Sequence, residues 1–148
     1  MTVQLAPKVR KPRLVLLRLV LEGATPPAIE VLEAVRHGLA ANELNEILAY
    51  GLSLGEVASA LGVSTRTLLR KREDKRPFDT AASDRLVRLA SVLRDADRYI
   101  GNHDKALAWL RDPNWGLGNR VPLDMLAADA GVDLVRRSLV TIAYGGVA

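Results

Sequence analysis

Leu54-Gly55-Glu56-Val57-Ala58-Ser59-Ala60-Leu61-Gly62-Val63-Ser64-Thr65-Arg66-Thr67-Leu68-Leu69-Arg70-Lys71-Arg72 is the stretch on which the fold turns. Ser53 precedes it, with Glu56 three residues on, which makes a capping box. Val57, Ala58 and Leu61 fall on one face of the helix that follows, and Gly62 stops it. Ser64 then caps a second helix carrying Leu68 and Leu69. A helix-turn-helix needs a small residue where its helices cross, and Ala58 supplies it. It needs positive φ in the tight turn, which Gly62 tolerates. Val63 plugs that turn, and Leu68 faces back to the first helix. The second helix would present Thr65, Arg66 and Thr67 at its N-terminal end, the end that enters the major groove in such motifs. Arg70, Lys71, Arg72, Lys75 and Arg76 would meet phosphates. Lys71 stands where such units usually keep an apolar contact. The alternative is a helical bundle over 39–76 whose basic face is merely solvated.

Outward from this stretch the chain reads as helix after helix. Residues 1–13 hold Lys8, Arg10, Lys11 and Arg13, with Pro7 and Pro12 and no acid, and read as a mobile arm. Leu14 to Leu21 is an apolar stretch compatible with a buried helix or an edge strand. Pro27 opens a helix with Ala28, Ile29, Leu32 and Val35 on one face, and Gly38 ends it. A helix over 42–50 carries Leu44, Ile47 and Leu48. Thr80 is expected to cap a long helix with Leu86, Leu89, Ala90, Leu93 and Ile100, and Asn102 caps the next. Trp115 to Arg120 reads as a glycine-rich loop. Pro122 opens a short helix that Gly131 breaks, and Asp133 caps the last one, with Val135, Leu139, Ile142 and Ala143 on one side. The expected class is all-α: a helix-turn-helix-like module followed by a small helical one.

Composition narrows the function. The 148 residues are 49% hydrophobic and 26% charged, an ordinary globular balance. Cysteine is absent, which excludes disulfides, thiolate metal sites and a cysteine nucleophile. His37 and His103 alone do not make a multi-histidine metal centre. Aromatic content of 4% disfavours a stacking platform for single strands. Residues 1–78 hold 12 Lys+Arg against 8 acids, whereas residues 79–148 hold 9 against 9, every one of those acids Asp. The break near Pro77 suggests three parts: a basic arm and short apolar segment (1–26), a helix-turn-helix-like module (27–78) and a neutral module (79–148). The basic start and Leu14–Leu21 invite a signal-peptide reading, but Arg18 and Glu22 argue against it, and a cytoplasmic protein is expected. No catalytic group stands out. Gly116-Leu117-Gly118 lacks a phosphate-loop pattern, and Asn102-His103-Asp104 sits where helix caps belong. No metal or cofactor is implied, and an enzyme is not expected.

The order of pieces resembles the Xre/MbcA/ParS type of antitoxin, over about residues 28–148. The pieces are the helix-turn-helix-like stretch, then Ser83-Asp84-Arg85-Leu86, then Ala106-Leu107-Ala108-Trp109-Leu110-Arg111-Asp112-Pro113-Asn114. Leu117-Gly118-Asn119-Arg120-Val121-Pro122-Leu123-Asp124-Met125-Leu126 follows, and then a last helix ending Ile142-Ala143-Tyr144-Gly145-Gly146-Val147. The resemblance implies a partner of toxin–antitoxin systems that neutralises a RES-domain toxin, which consumes or transfers ADP-ribose from NAD. It implies that the C-terminal module obstructs the toxin's NAD pocket, and that the N-terminal module supports a homodimer and binds the operon's own promoter. Members often have Gly-Gly and Thr or Ser where Asn119 and Val121 stand, and their tails lack the extra glycine of Tyr144-Gly145-Gly146-Val147-Ala148. The toxin-contacting residues expected on this basis are Trp115, Asn119, Arg120, Tyr144, Gly145, Gly146 and Val147. A loop glycine admits close approach of a partner, and arginine suits a pocket that normally holds phosphate. Trp109 is expected in the core. A helix-turn-helix regulator without a toxin partner is the alternative reading.

Overall fold

The computed structural model describes residues 15–145. The basic arm over 1–13, Gly146 and Val147 lie outside them. Among the described residues there are eight α-helices and three 3-10 turns, with no strand. The helices are α1 (Leu16–Leu21), α2 (Ala28–His37), α3 (Leu44–Tyr50), α4 (Leu54–Leu61), α5 (Thr65–Asp74), α6 (Thr80–Ile100), α7 (His103–Arg111) and α8 (Asp129–Ala143). The 3-10 turns are Ala41–Glu43, Trp115–Leu117 and Pro122–Met125. None of these helices is long and apolar enough to cross a membrane.

The 21-residue α6 is the spine. Its buried face, Leu86, Leu89, Ala90, Val92, Leu93 and Ala96, recurs every three to four residues. The helix packs against α1, α2, α4, α7 and α8. One hydrophobic cluster therefore joins Leu17, Leu44, Ile47 and Leu61 to Leu110, Leu126, Val135 and Leu139. The connection at Pro77 is itself pinned: Phe78 is buried, and its N–H donates to Leu39 C=O at 2.8 Å. Ser83, wholly buried, accepts from Leu39 N–H at 2.9 Å and donates to Phe78 C=O.

Several expectations need correcting. The apolar stretch after the arm is helix α1, whose N-terminal amides are met by a buried side chain: Glu43 Oε1 accepts from Leu17 N–H at 2.9 Å. The residue capping α6 is Asp79, not Thr80, because its carboxylate reaches Ala82 N–H at 2.7 Å. Gly131 does not break a helix and Asp133 does not cap one. Instead α8 begins at Asp129, and Gly131 lies inside its first turn. A Cβ there would fall 1.8 Å from Met125 C=O, so the glycine is required for the close packing of α8 on the Pro122–Met125 turn. The apolar residues of α2 do not all pack inward: Val35 is buried, but Ile29 is 61% exposed and Leu32 is also exposed.

Candidate functional site

The helix-turn-helix stretch folds as its capping residues dictate. Ser53 Oγ accepts from Glu56 N–H, and the Glu56 carboxylate accepts from Ser53 N–H at 2.9 Å. Gly62 holds φ +69°, which lets Val63 N–H turn back to Ala58 C=O at 3.0 Å. Leu68 is the single fully buried residue of α5, and Leu69 is exposed. Thr65, Arg66, Thr67 and Arg70 are all exposed on α5. Thr67 is partly occupied, because its N–H donates to Ser64 Oγ and the two hydroxyls lie 2.8 Å apart. Arg66 and Arg70 form no ion pair among the described residues. Lys71 stands in place of the missing apolar contact: its Nζ lies over the Phe78 ring, 5.9 Å from the ring centre, and 3.8 Å from Asp79 Oδ2. The helix thus keeps its seat without a hydrophobic residue there.

A second surface is built around Asn114. Its N–H donates to Arg120 C=O at 2.9 Å, and its C=O accepts from Leu117 and Asn119. Its side chain accepts from Gly116 N–H at 2.9 Å. Asn119 sits at φ +61°, in the left-handed region that asparagine tolerates better than most side chains. It thereby fills a place that glycine would fill. Leu117 is buried and anchors the loop. Trp115 is left 92% exposed, and Arg120 and Asn119 are exposed beside it. Trp109 packs half-buried against the core.

Helix α8 continues this surface. Val132, Val135 and Leu139 face inward, whereas Leu134, Val140 and Ile142 are exposed, as is Tyr144 at 81%. An open groove of about 600 Å³ runs between loop and helix, lined among others by Asn119, Arg120, Met125, Gly131 and Leu134. Sequence reasoning missed Leu134 and Val140. The available signal was two apolar residues off the Val135–Leu139 stripe. It placed Ile142 on the inward side, but the core ends one turn earlier.

Polar contacts join the two surfaces. Arg111 donates to Glu56 Oε2 at 2.6 Å and to Gly51 C=O. This guanidinium, more than the capping-box amide, holds the Glu56 carboxyl below its ordinary value. Arg85 donates to Leu61 C=O at 2.9 Å, and Ser59 to Asp124 at 2.6 Å. His103 pairs with Asp97 rather than with its sequence neighbour Asp104, and its other ring nitrogen faces Tyr50 C=O at 2.9 Å. It is a clasp between helix ends. Burial raises the Glu43 carboxyl, against the pull of the Leu17 and Leu16 amides. Burial likewise raises Asp95, against Arg136.

Comparison with known proteins follows the same division. Residues 30–91 match the antitoxin Xre-like helix-turn-helix domain, and residues 95–145 match the antitoxin Xre/MbcA/ParS C-terminal toxin-binding domain. The chain is 30% identical over 116 residues to an antitoxin Xre of Pseudomonas putida, covering 78% of this chain and 72% of that one. It is 28% identical over 113 residues to an antitoxin Xre of Yersinia enterocolitica, covering 72% and 76%. It is 29% identical over 130 residues to a Prs ADP-ribosylating antitoxin of Sphingobium, covering 81% and 82%.

Proposed function

The chain belongs to the Xre-type antitoxin family and carries its toxin-binding domain, and on that premise we propose that it neutralises a RES-domain toxin by steric obstruction of the NAD pocket. The observation that carries this reading is the Asn114-centred loop, which holds Trp115 and Arg120 outward beside the exposed apolar side of α8. An exposed tryptophan on a rigid loop anchors a protein interface. Arg120 brings a planar guanidinium suited to a phosphate-binding pocket. Tyr144 and Gly145, at the end of α8, serve with Gly146 and Val147, which lie outside the described residues, as the blocking tail. The name of the Sphingobium relative, which refers to ADP-ribosylation, supports this toxin chemistry.

The helix-turn-helix serves as the operator-binding part, with Thr65, Arg66, Thr67, Arg70 and Lys71 toward DNA, so that the chain represses its own operon as a homodimer. The test is co-expression with the adjacent open reading frame, scoring growth, co-purification and cellular NAD. Toxicity of the neighbour alone with falling NAD, relieved in a stable complex with this chain, is the expected result. A harmless neighbour that does not co-purify would overturn the reading. Truncation before Tyr144 should release toxin activity while the complex still forms.

A further inference from the structure

Lys71 departs from the helix-turn-helix pattern, and a cavity stands where it does so. The cavity measures about 200 Å³ and lies between α5, the start of α6 and the turn at Gly62. Leu61, Leu68 and Phe78, all buried, form its apolar wall together with Ala82. Helix α5 packs on α4 and on the Ala41–Glu43 turn, with Leu68 as its single fully buried residue, so its side toward α6 is left unfilled. Two cations stand at this wall. Lys71 Nζ lies over the Phe78 ring. Arg85, half-buried, donates from one amino group to Leu61 C=O at 2.9 Å and forms no ion pair among the described residues. Asp79 is the acid that faces them. Its Oδ1 accepts from Ala82 N–H at 2.7 Å, and its Oδ2 lies 3.8 Å from Lys71 Nζ, beyond hydrogen-bond length. The lining therefore carries one positive charge in excess. Thr67 also lines the cavity, its hydroxyl 2.8 Å from that of Ser64, whereas Arg66 and Arg70 do not.

We infer that this cavity binds a small organic carboxylate with an apolar body the size of a single ring. An apolar cavity of about 150 Å³ takes a benzene-sized molecule. The somewhat larger space here leaves room for a ring and its carboxylate. The ring displaces water from Leu61, Leu68 and Phe78. The carboxylate meets the remaining N–H donors of Arg85 and the ammonium of Lys71, both of which form charge-assisted hydrogen bonds. A neutral ring leaves both cations unanswered, and a carboxylate without a body leaves the wall wet, so neither matches the whole site. Bound there, the acid fills the side of α5 that the protein itself leaves unpacked.

The experiment titrates benzoate into the full chain at constant ionic strength and follows the methyl signals of Leu61, Leu68 and Ala82 by NMR. Benzyl alcohol, which keeps the ring, and acetate, which keeps the charge, are titrated in the same way. Saturable shifts with benzoate are expected, with affinity about tenfold weaker or worse for either comparison probe. Ring protons of benzoate should show nuclear Overhauser contacts to Phe78. Arg85→Gln, which keeps a donor for Leu61 C=O, should weaken benzoate about tenfold and leave benzyl alcohol unchanged. Ala82→Leu fills the cavity from the α6 side and should abolish the shifts. Circular dichroism checks that both variants are folded. If either is not, the three probes on the unaltered chain decide. Shifts that grow linearly without saturating, benzyl alcohol binding as tightly as benzoate, or a benzoate affinity unchanged in folded Arg85→Gln would each overturn the site.

Discussion

Helices α5 and α8 sit on the same core yet present opposite chemistry to solvent. The first is held by one fully buried leucine and offers Arg66, Arg70, Arg72 and the helix-end Lys75 and Arg76. The second buries Gly131, Val132, Val135 and Leu139 and offers Leu134, Val140, Ile142 and Tyr144. A thinly seated cationic helix suits a polyanion, whose affinity comes from long-range charge and counterion release. A deeply seated helix with exposed apolar residues suits a protein partner, whose affinity comes from desolvated anchors on a rigid base. The difference shows how one small core carries two kinds of surface, one seated by a single leucine and the other by Val132, Val135 and Leu139.

The most severe way to break the comparison is to unseat α8. Gly131→Ala drives a methyl into Met125 C=O. Because both surfaces share one cluster, the melting temperature should fall by about 10 °C or more in calorimetry, and toxin and DNA binding should fail together. Loss of toxin binding alone would mean that the halves fold separately. Trp115→Ala removes an exposed anchor without touching the core. Toxin affinity should drop by about 30-fold or more at unchanged melting temperature, read by calorimetric titration. Arg66→Ala with Arg70→Ala should weaken DNA binding, lower its salt slope by about one through the phosphate contact of Arg70, and leave toxin affinity alone. An unchanged slope would remove α5 from the interface.

The smallest effect concerns the polar seam. Arg111 holds Glu56 below its ordinary 4.5, so the stability it contributes is present above that pH and is lost as pH falls through the folded value. Glu43, raised by burial, works with the opposite sign, since its contribution favours the fold in acid and is lost as pH rises through its folded value. Glu56→Gln should therefore remove part of the stability near neutrality, about 1 kcal/mol or less for a pair that is partly exposed, and flatten the acid limb of an unfolding series. Glu43→Gln should steepen it.

The helix-turn-helix was legible because its determinants are local. Ser53 with Glu56, Gly62 and Ser64 act on amides within three residues, and they take up the capping and turn roles that their order implies. The all-α class followed in the same way from apolar spacing. The Asn114 loop was legible only as a loop, because its hydrogen bonds span residues 114–120 and close on backbone groups that any sequence carries. Gly131 was misread because a helix break and a close approach ask for the same residue, and only the position of Met125 separates them.

By itself the sequence determined the helical class, the caps at Ser53, Ser64 and Asn102 and the concentration of positive charge in the first half, since each depends on neighbours along the chain. The tertiary structure decided the rest. It set which acids are hidden beside α1, which apolar residues of α2 and α8 remain outside, and that Lys71 rests on Phe78. Those outcomes depend on which helix lies opposite, because burial is a property of pairs of surfaces rather than of the residues on one of them.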